Sequence, residues 1–380
     1  MKFSPNDLAI EHQLAWLSET IRFLLEVTPL DADEAREAFF VGDVDEPVFT
    51  YRELSIDLDI AEAALANVNL PAIEDNTLRT LLEHKRDELG LQLQMLRARD
   101  TEDFLELSAQ LFGRVDPELL STARHILDDI EVPRQTSRKL GAEEFLELAD
   151  AEIRRYKDLD PDIDIHAEIR PDVAGVLCAG NALIIADNAG VFEDRAEALI
   201  QHEIGTHLVT QVNGSGQRIT TMGTGLAGYD ETQEGLAVVA EIAVGGLTPF
   251  RLRQLAARVI TVHTMLGGVP FSAAFQQLVD YGLPKRTAFT TTMRVYRAGG
   301  FTKDAIYLRG LLNLLRHVEA GGELDLFFLG KFAFEDLPLI TDLNERGLLA
   351  PPRIMPPWLK DEGERRIREA AEADDLLELI

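Results

Sequence analysis

Two histidines and a glutamate inside one apolar run constrain this chain more than any other stretch: Ala198-Leu199-Ile200-Gln201-His202-Glu203-Ile204-Gly205-Thr206-His207-Leu208-Val209. An ordinary core helix has no need of this set, whereas metal-assisted hydrolysis uses all three groups. The usual H-E-x-x-H motif spaces its histidines by four residues, which puts both on one helix face with the Glu beside them as general base. Here the spacing is five. At about 100° per residue, a step of five turns through roughly 140°, so a regular α-helix would aim His202 and His207 apart. The pattern calls for a local widening, and a single π-type turn supplies it. Gly205, between the histidines, tolerates such a distortion.

Catalytic zinc takes three protein ligands and keeps one position open for water, so a third ligand must come from elsewhere. Glu234, in Thr232-Gln233-Glu234-Gly235-Leu236-Ala237, opens an apolar helix from which its carboxylate can point back at the motif. Glu241, seven residues on and on the same face, competes for that place. Glu234 also reads as a first-turn acid favoured by the helix dipole. Held by two neutral imidazoles and one carboxylate, zinc lowers the pKa of its bound water toward about 7 and polarises a scissile carbonyl. Glu203 then takes the water's proton and passes it to the leaving amine.

A glutamate one helix downstream of a His-Glu pair, followed by a small residue, resembles the gluzincin metallopeptidases. Taken together, His202-Glu203-Ile204-Gly205-Thr206-His207 and Gln233-Glu234-Gly235-Leu236-Ala237 resemble the bacterial proteins named for their QEGLA motif and for modulating flavohaemoglobin expression. Those proteins are similar to the eukaryotic microtubule-associated tyrosine carboxypeptidases. The resemblance runs over roughly Asp160 to Leu343. It implies a zinc metallopeptidase with an H-E-x-x-x-H helix, in which His202, His207 and Glu234 bind zinc and Glu203 is the catalytic acid/base.

A carboxypeptidase also needs a cation for the substrate's terminal carboxylate, ideally a guanidinium that grips both oxygens. Arg294, Arg297, Lys303 and Arg309 cluster around Gly299-Gly300, and Tyr296 and Tyr307 can donate hydrogen bonds to a developing oxyanion. Lys303 and Arg297 flank the glycine break and are the first choices.

The rest of the chain falls into three stretches. Residues 1–159 read as an N-terminal helical region, in which Leu8, His12, Trp16, Ile21, Leu24 and Leu25 form one stripe and Leu78, Leu81, Leu82, Leu89, Leu93 and Leu96 another, both expected to be buried. Residues 160–345 open with the alternating segment Asp162 to Ile169. Two apolar runs follow, Val173 to Cys178 and Ala182 to Ala186, joined as a hairpin by Ala179-Gly180-Asn181. A sheet edge beside a metal helix suits a peptide that adds itself as a strand. The glycine-rich connection from Asn213 to Gly228 lacks the context of a phosphate cradle and reads as a flexible loop. Helices are expected from Asp230 to Ala243, Pro249 to Met265, Phe271 to Tyr281, Pro284 to Arg297 and Ala305 to Val318. Residues 346–380 form a proline-rich segment and a charged helix from Lys360 to Leu379. The fold class is α+β, mostly α: a zincin-like core of the gluzincin type with a small antiparallel sheet.

Charge narrows the partners. Sixty-six acids against 37 Lys plus Arg give −29, which opposes nucleic acid, anionic membranes and an acidic microtubule surface alike. Cys178, the single cysteine, excludes an internal disulfide and a thiolate-rich zinc site and suits the cytoplasm. The expectation is a zinc-dependent carboxypeptidase acting on peptide or protein C-termini. Its alternative is a metal-binding regulatory or scaffold protein without chemistry.

Overall fold

Leucine spacing builds the first half of the molecule, and the computed structural model shows which faces it buries. Residues 2–131, 136–171, 173, 175–373 and 376–379 are described. Helix α1 (Pro5–Thr20) starts from a Ser4–Asp7 capping box with Pro5 in its first turn. Its buried face is Asp7, Ile10, Glu11, Leu14, Ala15 and Leu17. The stripe expected through Trp16, Leu24 and Leu25 is a different one, and all three are exposed. Two acids lie on the buried face because distant groups need them: Glu11 accepts from Thr221 N at 2.7 Å, and Asp7 from Glu74 N at 2.8 Å. Helix α2 (Asn76–Arg97) follows the sequence reading, with all six leucines of its stripe buried.

Helices α3 (Glu102–Phe112) and α4 (Ala142–Leu159) complete this half and lead into a three-stranded sheet. Strands β1 (His166–Arg170), β2 (Val176–Ala179) and β3 (Ala182–Ala186) are ordered β1-β3-β2. The hairpin is present, with β2 antiparallel to β3 and Cys178 opposite Leu183. Strand β1 joins the other edge of β3 in parallel, so the sheet is mixed rather than antiparallel throughout. Alternation alone cannot show this, because pairing direction depends on the path of the connection. Ala174, within the run read from Val173 to Cys178, lies outside the described residues, as do residues 374 and 375 of the expected C-terminal helix.

The motif helix follows as α5 (Glu193–His202), a π-helical segment (Glu203–Leu208) and α6 (Val209–Ser215). Five of the helices that follow match the sequence reading to within two residues: α7 (Tyr229–Ala243), α8 (Pro249–Leu266), Phe271–Asp280, α9 (Lys285–Tyr296) and α10 (Ile306–Glu319); Leu337–Glu345 is a helix that reading did not include. Helix α11 (Asp361–Glu372) stops seven residues short of the expected end at Leu379, and a 3-10 turn covers Leu376–Leu379. Helices α7 and α10 cross where Gly235 meets Gly310, so closely that a Cβ on Gly235 would lie 2.4 Å from the Gly310 carbonyl carbon.

One continuous apolar cluster joins the two halves, and polar groups of the first half hold loops of the second. Glu88 of α2 accepts from Gly228 N, 2.7 Å away, at the left-handed residue that starts α7. Ser108 of α3 is hydrogen-bonded to Thr302, beside Lys303. The connection from Asn213 to Gly228, expected to be a flexible loop, is packed instead: a Cβ on Gly214 would lie 2.2 Å from the Met222 carbonyl oxygen. Its glycines serve close approach.

Candidate metal centre

The π-helical segment answers the five-residue spacing directly. It begins at Glu203 and ends at Leu208, and the His202 and His207 rings stand edge to face with centroids 5.2 Å apart. Gly205 is needed there for room rather than for unusual torsion. A Cβ on it would lie 2.2 Å from Gln201 Oε1 and 3.0 Å from Trp358 Nε1.

Helix α7 brings Glu234 to the pair. Its Oε2 lies 3.6 Å from His202 Nε2 and 3.8 Å from His207 Nε2. One ligand atom from each of these three residues falls within 4.8 Å of the others. Three donors held at 2.0–2.2 Å from one tetrahedral ion would lie about 3.4 Å apart, so the two carboxylate–imidazole separations match to within a few tenths of an ångström, while the imidazole pair, within 4.8 Å, would close by up to about 1.4 Å. The chemistry of the donors fits as well: two imidazole nitrogens and one carboxylate oxygen.

The other ring nitrogens are engaged. His202 Nδ1 lies 2.9 Å from Glu241 Oε1. An ionised carboxylate only accepts, so Nδ1 carries the proton and Nε2 is the nitrogen turned toward Glu234. Glu241 is thus not the competing ligand but the group that orients His202. Arg195 and Arg251 hold it in turn, at 2.7 and 3.0 Å. His207 Nδ1 faces Gln233 Oε1 at 3.4 Å, and that oxygen accepts from Thr210 Oγ1 at 2.7 Å.

Burial sets the electrostatics. It opposes charge on His202, but hydrogen bonds to Glu234 and Glu241 outweigh it and push the pKa up to about 9. On His207 burial prevails over Glu234 and lowers the value to about 4. Burial raises the Glu203 carboxyl to about 6, against the pull of His202. Glu234 is held well below the usual carboxylate range, because His202, Lys303 and His207 overcome its burial.

The substrate-side candidates separate. Lys303 Nζ lies 3.1 Å from Asp230 Oδ1 and 3.8 Å from Glu234 Oε1, so it touches the trio. Tyr307 is half-buried, its ring centre 5.8 Å from Lys303 Nζ and 4.3 Å from Arg258 Cζ. Arg297 is buried with its guanidinium 4.8 Å above the Phe301 ring. Tyr296 is committed elsewhere: its hydroxyl donates to the Val269 carbonyl at 2.6 Å and its ring meets Phe271 edge to face. Spacing in sequence brings it near Lys303, but as the last residue of α9 it packs its ring and hydroxyl on the segment from Val269 to Phe271. Arg309 is likewise engaged, on Glu231 and the Phe112 carbonyl.

A family model described as microtubule-associated tyrosine carboxypeptidase matches residues 37–370. The chain belongs to that family. Among curated relatives, microtubule-associated tyrosine carboxypeptidase 1 of Rattus norvegicus is 32% identical over 176 residues, which is 43% of this chain and 36% of the relative. The Mus musculus protein matches to the same extent, and the Homo sapiens protein is 30% identical over the same length. The match thus spans little more than a third of the relatives.

Sequence reasoning passed over several residues of this tyrosine carboxypeptidase-family site. Gln233 was visible only as a neighbour of Glu234, and Thr210 not at all, because neither belongs to the metal-ligand alphabet. The pairing of Glu241 with Arg195 and Arg251 joins three helices and leaves no local trace. Lys331, which donates to Gln211 Oε1 at 2.9 Å one turn beyond His207, comes from a segment with no motif. Cys178 donates to the Glu203 carbonyl at 3.2 Å, tying β2 to the motif.

Proposed function

We propose that this chain is a zinc-dependent carboxypeptidase that removes C-terminal residues from peptides or proteins. The observation that carries the reading is the convergence of His202, His207 and Glu234 beside a buried Glu203, on a helix widened where the spacing requires it. Family membership supports the reaction class. The relatives' name makes tyrosine the first terminal residue to test, whereas a net charge of −29 argues for a partner other than an acidic microtubule surface.

In this reading His202, His207 and Glu234 hold the ion, and the core is zincin-like. Zinc bound there supplies a Lewis acid for the scissile carbonyl and makes water acidic enough to lose a proton near neutral pH. Glu203, its carboxyl raised by burial, accepts that proton and delivers it to the leaving amine. Glu241 keeps the His202 proton on Nδ1, and Lys303 keeps Glu234 ionised. Half-buried Tyr307 donates to charge that develops on the substrate oxygen.

The test uses protein purified without added metal, followed by a peptide library with varied C-terminal residues. About one zinc per chain and chelator-sensitive release of a terminal amino acid are expected. Zinc without any release would favour a metal-binding regulatory protein, and no metal at all would remove both readings.

A further inference from the structure

A single π-turn is an uncommon departure from the regular helix, and such departures have identifiable local causes. Around Glu203–Leu208 several carbonyls are taken up by side chains. Thr206 Oγ1 donates to the Gln201 carbonyl at 3.0 Å, five residues back, and Cys178 reaches the Glu203 carbonyl from the sheet. Thr210 Oγ1 donates to the carbonyls of Thr206 and His207 at 2.9 and 3.1 Å. These bonds satisfy the turn, but none of them occupies the space beside Gly205.

The C-terminal segment does. It runs antiparallel to the motif helix, and contacts at three levels fix its register. Beyond the end of α6, Gln217 accepts from Ala350 N at 2.8 Å and donates to the Ala350 carbonyl at 2.9 Å. One turn nearer the histidines, the Asn213 amide is given over to main chain. Its Nδ2 donates to the Phe328 and Ile354 carbonyls, both at 2.8 Å, and its Oδ1 accepts from Arg353 N and Ile354 N at 2.8 and 3.1 Å. About two turns further back the Trp358 indole meets Gly205, where a Cβ would lie 3.0 Å from Nε1.

The indole is itself tightly seated. Trp358 is 4% exposed, its ring stands edge to face with Phe328 at 5.6 Å, and a Cβ on Gly363 of α11 would lie 2.0 Å from its carbonyl oxygen. Yet among the described residues its Nε1 donates no hydrogen bond, and Gln201 Oε1, which also faces Gly205, accepts none. A buried tryptophan N–H usually finds a partner. Here the side chain contributes volume rather than a bond, in the room that any side chain at position 205 would take.

We propose that Trp358 is a positioning residue for the metal centre: its indole, delivered by the segment from Ala350 to Trp358, keeps the turn at Gly205 wide and so keeps His207 within reach of His202 and Glu234, a role that rests on the metal reading given above. A regular α-helix would set the two histidines roughly 140° apart around the axis. Without the indole the turn is free to contract that way, which would take His207 from the trio and leave two ligands where catalytic zinc wants three.

The experiment titrates the metal-free full chain with zinc and, separately, with cobalt(II), whose visible absorption is intense in four-coordinate sites and weak in six-coordinate ones. Trp358→Ala is expected to weaken zinc binding by about tenfold or more, in the range seen when an orienting partner is lost, and to replace the intense cobalt band with a weak one. Trp358→Phe, which keeps an aromatic ring, should stay close to the parent in both readouts, and Trp358→Leu should fall between. Ile126→Ala, a core truncation in the helix Pro117–Asp129, controls for general loss of stability. It should lower the thermal midpoint while leaving zinc affinity and the cobalt band unchanged. Should Trp358→Ala fail to fold, the order of Phe over Leu carries the same test. Parent-like zinc and cobalt binding in the Ala or Leu variant would overturn the proposal, as would an equal loss in Ile126→Ala. A parent chain that binds neither ion would remove the metal reading and this role with it, whereas metal binding indifferent to residue 358 removes the role alone.

Discussion

Around the imidazoles His202, His207 and Glu234 each have a polar neighbour, although Gln233 Nε2 beside them has none, whereas around Asp304 two guanidiniums, among the described residues, donate no hydrogen bond. His202 is fixed by Glu241, Glu241 by two arginines, His207 by Gln233, and Glu234 by Lys303. Arg258 and Arg297 share one distant carboxylate with Arg294. The first region is organised before anything binds, as the proposed metal ligands would have to be to hold an ion without an ordering cost. The second holds unmet hydrogen-bonding capacity, which an ordered water or a bound ligand would satisfy.

The largest effects should come from breaking the first region at its centre. His202→Ala should abolish zinc retention, read as metal per chain after dialysis. Glu203→Gln should keep the zinc and lower kcat by about 10²–10⁴, the usual contribution of a positioned acid/base. An active Glu203→Gln protein would remove that residue from the proton-transfer role. One step outward, Glu241→Gln should weaken zinc binding by about 10–100-fold, as loss of such an orienting partner does. If affinity is unchanged, the organised character of this region does not extend past its three ligands.

The second region is tested through its one counter-charge. Asp304→Asn leaves Arg294 without its two-pronged partner. Breaking a fully buried pair costs about 3–5 kcal/mol, and because the Arg294 side chain is 30% exposed a loss of about 2 kcal/mol is expected in denaturant titrations. Burial raises the Asp304 carboxyl, but Arg294 and Arg258 outweigh it and hold the pKa far below its ordinary value. Its contribution is therefore present above the unfolded value of about 3.9 and lost as pH falls below it. The parent protein should lose stability on acidification below pH 4 more steeply than Asp304→Asn does, and parallel curves would contradict the pairing.

Legibility in the sequence divides along the same line. The motif helix, its widened turn and Glu234 were readable because metal ligation uses few residue types at fixed spacing, and one extra residue has one geometric solution. The helices from α7 to α10 were readable from period and breakers. What failed depended on contacts across the chain. The Trp16 stripe looked apolar, yet α1 turns the face with Asp7 and Glu11 inward because backbone donors at Glu74 and Thr221 meet it. The glycines after Asn213 looked like freedom and are close packing. Lys303 reads as a substrate cation because it flanks a break, and its pairing with Asp230 and nearness to Glu234 leave no trace in its own segment.

The smallest effect is the most discriminating. A largely buried guanidinium with unmet donors, 3.9 Å from its one counter-charge, adds little to the folded chain, so replacing it with an apolar side chain of similar length should be neutral or slightly stabilising. Arg258→Met keeps the stem that packs on Tyr307 and removes the orphaned donors. We expect it to raise the thermal midpoint slightly, by about 1–2 °C for a gain near 1 kcal/mol in a chain of this size. The same change made in the first region, Arg251→Met, should instead destabilise, because it strips Glu241 of a partner that lies 3.0 Å away. Opposite signs for two arginines seven residues apart on one helix would show that charge at Arg258 is kept at a cost to stability, as a binding residue is. The same sign for both would mean that the two regions are built alike and that Arg258 is structural.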